Sequence, residues 1–368
     1  MTARVVMLVD LDYFFAQCEE RRNPSFKNKP VVVCVYSGRT EESGAVSTAN
    51  YVARGYGVRS GMPIFLAKRK LAKVEAVFLP VDRAYYEEVS ERMMGILRGH
   101  ADSFEQVGID EAYLDVTARV QGSFEAAANL AKEIKSHVKS QERLTFSVGI
   151  APNKLVSKIA ADFRKPDGIT VVKPEEVEGF LAPLPVDSLL GVGKKNSERM
   201  ESLGIKTIGN LARFDVQELN KVFGRSLGTF FHNASLGVDD SPVQERGKTE
   251  SISRFSTLKQ DTRDLEVIMD KTVLLCEDIH ERVIERDLSF KSIGVIAVLK
   301  DMTIHNRSRT LESSTRDSAI LEKIVRELLG RLIAETRPDL RRVGVKVSGF
   351  VKEKDAQKHL TDFVESGY

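Results

Sequence analysis

The sequence predicts an α+β protein built from several domains. Its 368 residues are enough for about two to four ordinary domains. Strand-like and helix-like stretches mix up to residue 168, without the regular alternation of a doubly wound sheet. A nearly all-helical stretch follows, and a polar segment over residues 237–248 separates it from a C-terminal region in which both patterns return.

Composition excludes several classes of protein. With 42% hydrophobic and 29% charged residues, the chain can bury a core and is neither disordered nor collagen-like. No apolar run approaches the roughly 18 residues of a membrane span, and the first residues turn acidic too soon for a signal peptide. Cys18, Cys34 and Cys276 are too scattered for a disulfide framework or a metal site. We therefore expect a cytoplasmic protein without membrane association.

Short apolar runs predict the strands of the first 168 residues, and periodic apolar positions predict the helices. The strands cover residues 5–9, 30–36, two pieces within 103–116, and 145–150. The helices cover residues 63–71, 85–98, 124–140 and 155–162. From residue 172 to about 236 the pattern is helical and interrupted by glycines.

The C-terminal region is predicted as a small α+β domain in which charge follows the elements. Strands are expected over 251–258, 289–299 with an extension through 303–311, and 343–351, and helices over 265–286 and 319–335. The strand windows carry net charges of about +3, +3 and +4, and the helix windows about −5 and −1. If the helices cover one face of the sheet, its open face would be basic and would attract a polyanion. Ordinary surface charge is the alternative.

Three acidic residues at predicted strand ends form the candidate catalytic centre. Asp10 follows the first strand, and Asp110 and Glu111 lie at a strand boundary about 100 residues later. Mg²⁺ prefers oxygen ligands, and two such ions can bridge an attacking hydroxyl, a phosphoryl group and a leaving pyrophosphate. Spacing alone also allows unrelated loop acids, and periodicity does not exclude Asp12 or Asp115.

Three further side chains could bind a triphosphate. Tyr51 and Arg54 lie three residues apart, on one face if this stretch is helical, and Lys165 follows a predicted helix. A phenol, a guanidinium and an ammonium group would supply hydrogen-bond donors and offset the phosphate charge. Taken singly, each is as expected of a surface or capping residue.

The chain resembles the Y-family DNA polymerases, which bypass lesions, and is most similar to their archaeal branch related to polymerases IV and kappa. The similarity follows the same motif order over almost the whole chain. The motifs are residues 9–16 (VDLDYFFA), 43–51 (SGAVSTANY), 108–115 (GIDEAYLD), 147–154 (SVGIAPNK) and 158–162 (KIAAD).

The resemblance implies the shape of a right hand. The palm would comprise residues 1–18 and 78–168, the fingers 19–77 and the helical thumb 169–236. A linker over 237–249 would lead to a little-finger domain over 250–352, and a flexible tail would occupy 353–368.

The resemblance also implies a mechanism of low-fidelity, template-directed synthesis without a proofreading domain. Asp10, Asp110, Glu111 and the Leu11 carbonyl would hold two Mg²⁺ ions. The primer 3′-hydroxyl would attack the α-phosphate, so catalysis would consist of positioning and electrostatic stabilisation. No residue is assigned as general base. The residues implied in nucleotide binding are Tyr13, Phe14, Phe15, Thr48, Tyr51, Arg54 and Lys165.

Phe15 falls at the position of the family's steric gate, where a large ring would collide with a 2′-hydroxyl. A Phe in an apolar run is otherwise an ordinary core residue. Val35, Ala45 and Gly61 align with the roof over the templating base, and their small size would leave room for a damaged base.

Primer–template DNA is the expected partner of the two C-terminal regions. Gly191 and Gly193, followed by Lys194, resemble a helix-hairpin-helix that approaches phosphates closely, although such glycines also mark any sharp turn. On the little finger the candidate DNA-binding residues are Arg254, Arg307, Arg309, Arg341 and Arg342.

The tail contains a candidate sliding-clamp peptide. Gln357, Leu360 and Phe363 match such a peptide, although Val364 replaces the usual second aromatic residue, and a frayed amphipathic end fits equally well. We expect a monomer.

Two other functions compete with a polymerase. A non-catalytic DNA-binding scaffold is disfavoured because Asp10, Asp110 and Glu111 are all present. A two-metal enzyme with a small substrate, such as a nucleotidyl cyclase, is disfavoured because it needs neither a basic C-terminal domain nor a glycine hairpin.

Overall fold

The computed structural model describes residues 3–245, Gly247 and 249–352. They cluster into two compact units. One contains the described residues up to Cys34, Val46–Met62, and Ala67 to Glu245; the other contains Val35–Ala45, Pro63–Leu66 and the described residues from Gly247 onward. Within these described residues, no helix is both long enough and apolar enough to cross a membrane.

Strands and helices are numbered in chain order. The strands are β1 (Val6–Leu11), β2 (Val31–Tyr36), β3 (Gly44–Ala49), β4 (Val77–Pro80), β5 (Ser103–Gln106), β6 (Glu111–Asp115), β7 (Phe146–Ala151), β8 (Ile169–Val171), β9 (Ser251–Thr262), β10 (Leu288–Leu299), β11 (Ile304–Thr315), β12 (Leu340–Ser348) and β13 (Val351–Lys352). The helices are α1 (Phe14–Arg22), α2 (Tyr51–Gly55), α3 (Ile64–Lys70), α4 (Arg83–Gly99), α5 (Phe124–Gln141), α6 (Lys154–Phe163), α7 (Val177–Leu181), α8 (Lys194–Ser202), α9 (Ile208–Ala212), α10 (Val216–Phe223), α11 (Arg225–Ser235), α12 (Leu265–Glu285) and α13 (Ser318–Glu335).

The first unit is organised around a five-stranded sheet in the order β5-β6-β1-β7-β8. The central strand β1 is buried along its whole length, and its side chains alternate between two faces. Met7 and Val9 belong to the core that includes residues of α4 and α5. Val6 and Leu8 pack on the other side with Ala161 of α6. The sheet is therefore covered on both faces, and polar side chains reach solvent at the strand ends.

Helices α7–α11 form a second core within the first unit, in agreement with the helical pattern predicted after residue 172. The polar segment after them is anchored to this unit rather than hanging free. Val243 is only 5% exposed and packs with Val6, Leu8 and Tyr113. The amide of Asn153 donates to the Gly237 carbonyl at 2.7 Å.

The second unit contains a sheet in the order β11-β10-β12-β9, with β13 paired to the start of β10. Helices α12 and α13 share one core with the buried side of this sheet. The loop between β2 and β3 joins this unit because the Arg39 guanidinium donates to the Leu258 carbonyl at 2.7 Å and pairs with Asp261.

The α+β class with more than one compact unit agrees with the sequence, and several elements differ from it. The stretch predicted as one strand through residues 303–311 is a hairpin of two antiparallel strands, β10 and β11. Four elements were not predicted: β3, β4, β8 and α1. The limits of palm, fingers, thumb and little finger remain a prediction.

Candidate active site

Antiparallel pairing of β1 with β6 brings the three candidate carboxylates together. Asp10 is the direct partner of Glu111 in the ladder. The Leu11 N–H donates to the Asp110 carbonyl at 2.8 Å, which fixes the residue before β6 beside the end of β1. Residues separated by a hundred positions in the chain thus meet at one edge of the sheet.

Two lysines neutralise these carboxylates. The Lys158 ammonium lies 3.0 Å from Asp10 Oδ2 and 2.9 Å from Glu111 Oε1. The Lys165 ammonium lies 2.7 Å from Asp10 Oδ1 and 2.8 Å from Asp162 Oδ1. Both oxygens of Asp10 are therefore paired with a cation.

The electrostatics of the site differ from one group to the next. Burial, and then the negative charge of Asp10, raise the pKa of Asp110 to about 6. Burial acts to lower the pKa of Lys158, but Asp10, Asp162 and Glu111 outweigh it, so this pKa is raised and the lysine stays charged. The site is thus a dense cluster of opposite charges in which Asp110 has the weakest compensation.

The donor atoms suit a hard divalent cation, since carboxylate and carbonyl oxygens are what Mg²⁺ binds. The arrangement of these carboxylates in the structure, however, is not that of a metal site. Among the residues that the structure describes, no group of three His, Cys, Asp or Glu side chains is disposed to hold an ion as it stands. The carboxylates are instead arranged around lysine ammonium groups.

A cavity of about 280 Å³ opens beside the carboxylates. All seven residues predicted to bind the nucleotide line it, as do the carboxylates Asp10 and Asp110. The complete lining is Asp10, Leu11, Tyr13, Phe14, Phe15, Ser47, Thr48, Tyr51, Arg54, Ser60, Asp110 and Lys165. Ser47 and Ser60 were not predicted, because a single uncharged serine gives no sequence signal for a binding site.

The cationic wall of this cavity is fixed by helix α2. The Asn50 side chain caps that helix by accepting from the Ala53 N–H at 2.9 Å. The Arg54 guanidinium donates to the Ala49 carbonyl at 2.8 Å and lies over the Tyr51 ring, 4.8 Å from its centroid. Arg54 and Tyr51 therefore share one face, as the spacing predicted.

The floor of the cavity is aromatic. The Phe15 ring stacks on Tyr86 with centroids 4.4 Å apart and an interplanar angle of 14°. The Tyr86 hydroxyl donates to Glu19 at 2.7 Å, so the ring beneath Phe15 is itself held. Tyr13 packs edge-on against Tyr51 at 5.4 Å.

Asp12 and Asp115, which the sequence pattern did not exclude as site residues, lie outside the site in the structure. Asp12 is 1% exposed and accepts hydrogen bonds from Thr145, Ser147 and the Asp167 N–H, which is a structural role. Asp115 lies at the other end of β6, four residues or about 13 Å along the strand from Glu111, and pairs with Arg4.

The three residues of the predicted roof have varied surroundings. Val35 is 55% exposed, Ala45 faces Pro63 across an isolated bridge, and Gly61 has a φ of +80°. Their role over a templating base stays a prediction.

The glycine hairpin leads directly into helix α8. Gly191 has a φ of +87°, which favours glycine, and Gly193 is the N-cap residue. Lys194 begins the helix and is largely exposed. A helix start leaves its first backbone N–H groups without partners inside the helix, and such groups can bind an anion.

Three of the candidate DNA-binding arginines lie on the helix-covered side of the C-terminal sheet, and their contact with DNA stays a prediction. Arg307 and Arg309 pair in the ladder with the buried Val295 and Ile293, so they lie on the helix side of the sheet, as does Arg254, the partner of Val345. Their charges are paired with helix acids: Arg254 with Asp278, Arg307 with Glu335 and Arg309 with Glu327. Strand register places these arginines on the helix side, where the helix acids neutralise their charges.

The open face nevertheless carries positive charge. Arg342 alternates with the buried Val343 and lies over the exposed Phe255 ring, 4.9 Å from its centroid. Lys346 lies four residues further along β12 and therefore on the same face. Arg341 lies 4.0 Å from Asp261. The candidate clamp peptide, Gln357, Leu360 and Phe363, lies outside the described residues.

Lys158 is a further site residue that the sequence did not predict, besides Ser47 and Ser60. It belongs to a motif used to identify the resemblance, but no role was given to it. A usable signal exists, because it is the one charged residue in the stretch 155–161 of helix α6, whose other residues are apolar except for Ser157. A lysine there either reaches solvent or pairs with a buried acid.

Comparisons with known sequences agree over nearly the entire chain. The impB/mucB/samB family matches residues 9–162, its C-terminal domain matches 249–360, and the thumb domain of DNA polymerase iota matches 187–239. DNA polymerase IV of Nitrosopumilus maritimus is 46% identical over 99% of this chain and 100% of its own length. DNA polymerase IV 1 of Methanosarcina mazei is 45% identical with the same coverage.

Solved structures give the same relationship. A chimera of two Y-family DNA polymerases, Dbh and Dpo4, is 38% identical and superposes with a TM-score of 0.88 over 95% of this chain and 99% of its own. An insertion ternary complex of Dbh DNA polymerase is 37% identical, with a TM-score of 0.68 over 95% and 99% of the two chains.

Proposed function

The chain belongs to the impB/mucB/samB family of Y-family DNA polymerases, and we propose that it extends primers through two Mg²⁺ ions held by Asp10, Asp110 and Glu111. It is a template-directed DNA polymerase of the DNA polymerase IV type, metal-dependent and suited to translesion synthesis. The observation that carries the proposal is the junction of β1 and β6, where Asp10 and Asp110 line the cavity and Glu111 is the ladder partner of Asp10.

The cavity supplies the groups that an incoming deoxynucleotide needs. The Arg54 guanidinium is anchored by one nitrogen to the Ala49 carbonyl, so its remaining N–H groups can donate to phosphate oxygens. Tyr51 and Thr48 add hydroxyl donors on the same wall. Lys165 exchanges its contact with Asp10 for the triphosphate, since both are anionic partners within reach of one ammonium.

The chain contributes position and charge rather than a covalent nucleophile. When bound, the Mg²⁺ ions neutralise the developing charge on the phosphoryl oxygens and on the leaving pyrophosphate. Asp10 and Glu111 hold their place through the strand ladder, and Asp110 through its backbone bond to Leu11. The Leu11 carbonyl is a further proposed ligand. The backbone positions fixed in this way would lower the barrier, because the strand ladder does not rearrange during the reaction.

The aromatic floor of the cavity is proposed to select the sugar of the incoming nucleotide. Phe15, held on Tyr86, lies in the cavity lining as a flat surface on which a deoxyribose can rest and a ribose 2′-hydroxyl collides. Val35, Ala45 and Gly61 are proposed to form a loose roof above the templating base.

DNA contacts are proposed at two places. The hairpin of Gly191, Gly193 and Lys194 would hold the DNA backbone through N–H groups and one ammonium, without reading sequence. On the open face of the C-terminal sheet, Arg342 and Lys346 would contact phosphates. A monomer in the cytoplasm, tethered to a sliding clamp by Gln357, Leu360 and Phe363, completes the proposal; the tethering rests on sequence alone.

Primer extension tests the carboxylate assignment. The double variant Asp110→Ala/Glu111→Ala should lose extension on undamaged and abasic templates while keeping its affinity for primer–template DNA. Asp115→Asn is the matched control, because this carboxylate lies on the same strand outside the site, and it should extend normally.

Two results would contradict the proposal. Extension by the double variant would show that the chemistry lies elsewhere. DNA binding by the wild-type protein without any extension would favour a non-catalytic scaffold.

A further inference from the structure

Lys158 occupies the space between the two carboxylates that the proposed metal site shares. Its ammonium is within 3.0 Å of both Asp10 and Glu111, and its side chain is only 20% exposed. It also lies 3.8 Å from Asp162, one turn further along α6. Three acids therefore surround one half-buried cation.

The geometry of an ammonium differs from that of a metal ion. The ammonium nitrogen lies near 3 Å from each carboxylate oxygen, whereas Mg²⁺ binds its oxygen ligands at about 2.0–2.1 Å. Carboxylates arranged around the ammonium group are therefore further apart than carboxylates arranged around Mg²⁺. This explains why no three acidic side chains of the described chain are gathered for an ion, although their backbones are adjacent. Lys158 keeps Asp10 and Glu111 from repelling each other.

We propose that Lys158 is a positioning residue that takes the place of a metal ion: it holds Asp10 and Glu111 while the site lacks a metal and must release both before a divalent cation binds them. This inference rests on the proposed function. It makes Lys158 a competitor of the metal, so the DNA-free protein should bind divalent ions weakly.

The surroundings of Lys158 allow this exchange. A second cavity, of about 650 Å³, is lined by Glu111, Tyr113 and Lys158 and gives the released ammonium a place to move. Phosphate groups of DNA or nucleotide would offer Lys158 and Lys165 new anionic partners. Substrate should therefore strengthen metal binding, and by thermodynamic reciprocity metal should strengthen substrate binding.

Helix α6 offers a matched control. Lys154 lies one turn before Lys158, has a side chain 16% exposed, and pairs at 2.7 Å with Glu105, which is not one of the proposed ligands. Replacing either lysine by Met removes a half-buried charge from the same helix, but only Lys158→Met removes the competitor of the metal.

The experiment measures Mn²⁺ binding to the DNA-free proteins by electron paramagnetic resonance, together with the melting temperature with and without Mn²⁺. Lys158→Met should bind Mn²⁺ on the order of tenfold more tightly than wild type, a typical coupling between two ligands of one site. Its melting temperature should fall by several degrees without metal and recover when Mn²⁺ is added. Lys154→Met should keep the wild-type affinity, and Mn²⁺ should not restore any stability it loses.

Unchanged or weaker Mn²⁺ binding by a folded Lys158→Met protein would overturn the inference. If that variant does not fold, Lys158→Gln decides by the same measurement, because its amide keeps hydrogen bonds but carries no charge. Failure of the proposed metal site itself is distinguishable: with primer–template DNA and a non-hydrolysable deoxynucleotide present, wild-type protein would then bind no more Mn²⁺ than the Asp110→Ala/Glu111→Ala variant does.

Discussion

Phe15 illustrates how a single ring can acquire a function through its neighbours. Its side chain is half-buried, stacks with one face on Tyr86 and belongs to the lining of the nucleotide cavity. Tyr86 is fully buried and hydrogen-bonded to Glu19, so Phe15 cannot retreat from a bulky sugar without disturbing the core. Packing below the ring therefore turns a core aromatic residue into a rigid surface.

Replacing Phe15 by Ala should admit ribonucleotides. We expect the ratio of kcat/KM for deoxynucleotides over ribonucleotides to fall on the order of 100-fold, because the collision with the 2′-hydroxyl disappears. Single-nucleotide insertion kinetics measure this ratio. Tyr86→Phe is the control, since it keeps the stacked ring and should retain the discrimination. Unaltered selectivity in Phe15→Ala would remove Phe15 from the gate.

Residue types in sequence locate this site better than they describe its charge balance. Asp10 could be proposed because it follows an apolar run, and Asp110 and Glu111 because they lie at a predicted strand boundary; the structure brings them together. Lys158 could not be given a role, because its partners come from β1 and β6, and only the fold reveals that a helix lysine points at them. Long-range pairing of opposite charges is invisible to local periodicity.

Among the elements, β7 and α6 approach each other at Gly149 more closely than a residue with a side chain would allow. A Cβ built at Gly149 of β7 would lie 1.9 Å from the Ser157 carbonyl oxygen and 2.4 Å from the Ala161 nitrogen of α6. Since Lys158 is next to Ser157, this contact fixes the height at which the lysine reaches the carboxylates. The absence of a side chain at Gly149 is thus part of the site's construction.

Gly149→Ala should destabilise the protein by about 3 kcal/mol, the upper range for overpacking, because backbone atoms rather than flexible side chains oppose the new methyl group. Urea denaturation followed by far-UV circular dichroism measures the effect. Gly95→Ala is the control: it lies inside α4 with nothing within 4 Å of the added Cβ, so helix propensity should stabilise it by about 0.5–1 kcal/mol. Equal denaturation midpoints for Gly149→Ala and wild type would refute the close contact.

Elements with strong local signals were predictable, and those without them were not. Helices α4 and α5 follow clear apolar periodicity and match the predicted ranges within a few residues. Helix α1 has no such start signal, because Tyr13 at its N-cap has a φ of 37° and makes no side-chain cap. The strand β3 consists largely of small residues, and β8 has three residues, so both depend on neighbouring strands for their formation.

In the C-terminal unit, positive charge lies on the strands and negative charge on the helices, but this pattern does not predict on which face of the sheet a basic side chain lies. Sequence shows which elements are basic, whereas the side of the sheet depends on register. Three strand arginines form ion pairs with acidic residues of the helices, so their charges are largely neutralised within the domain. Arg342 and Lys346 remain on the open face, and DNA affinity should depend on them.

Binding of primer–template DNA at several salt concentrations tests this distinction. Arg342→Ala and Lys346→Ala should each weaken binding about equally for all DNA sequences and reduce the slope of log K against log salt by about 1, since each contacts one phosphate. Arg307→Ala should change the slope far less, because Glu335 already neutralises that guanidinium and few counterions are released when it binds. Fluorescence anisotropy with labelled primer–template DNA gives all three slopes. A slope change for Arg307→Ala as large as that for Arg342→Ala would mean that DNA displaces the glutamate, and the helix-side arginines would then belong to the DNA-binding surface after all.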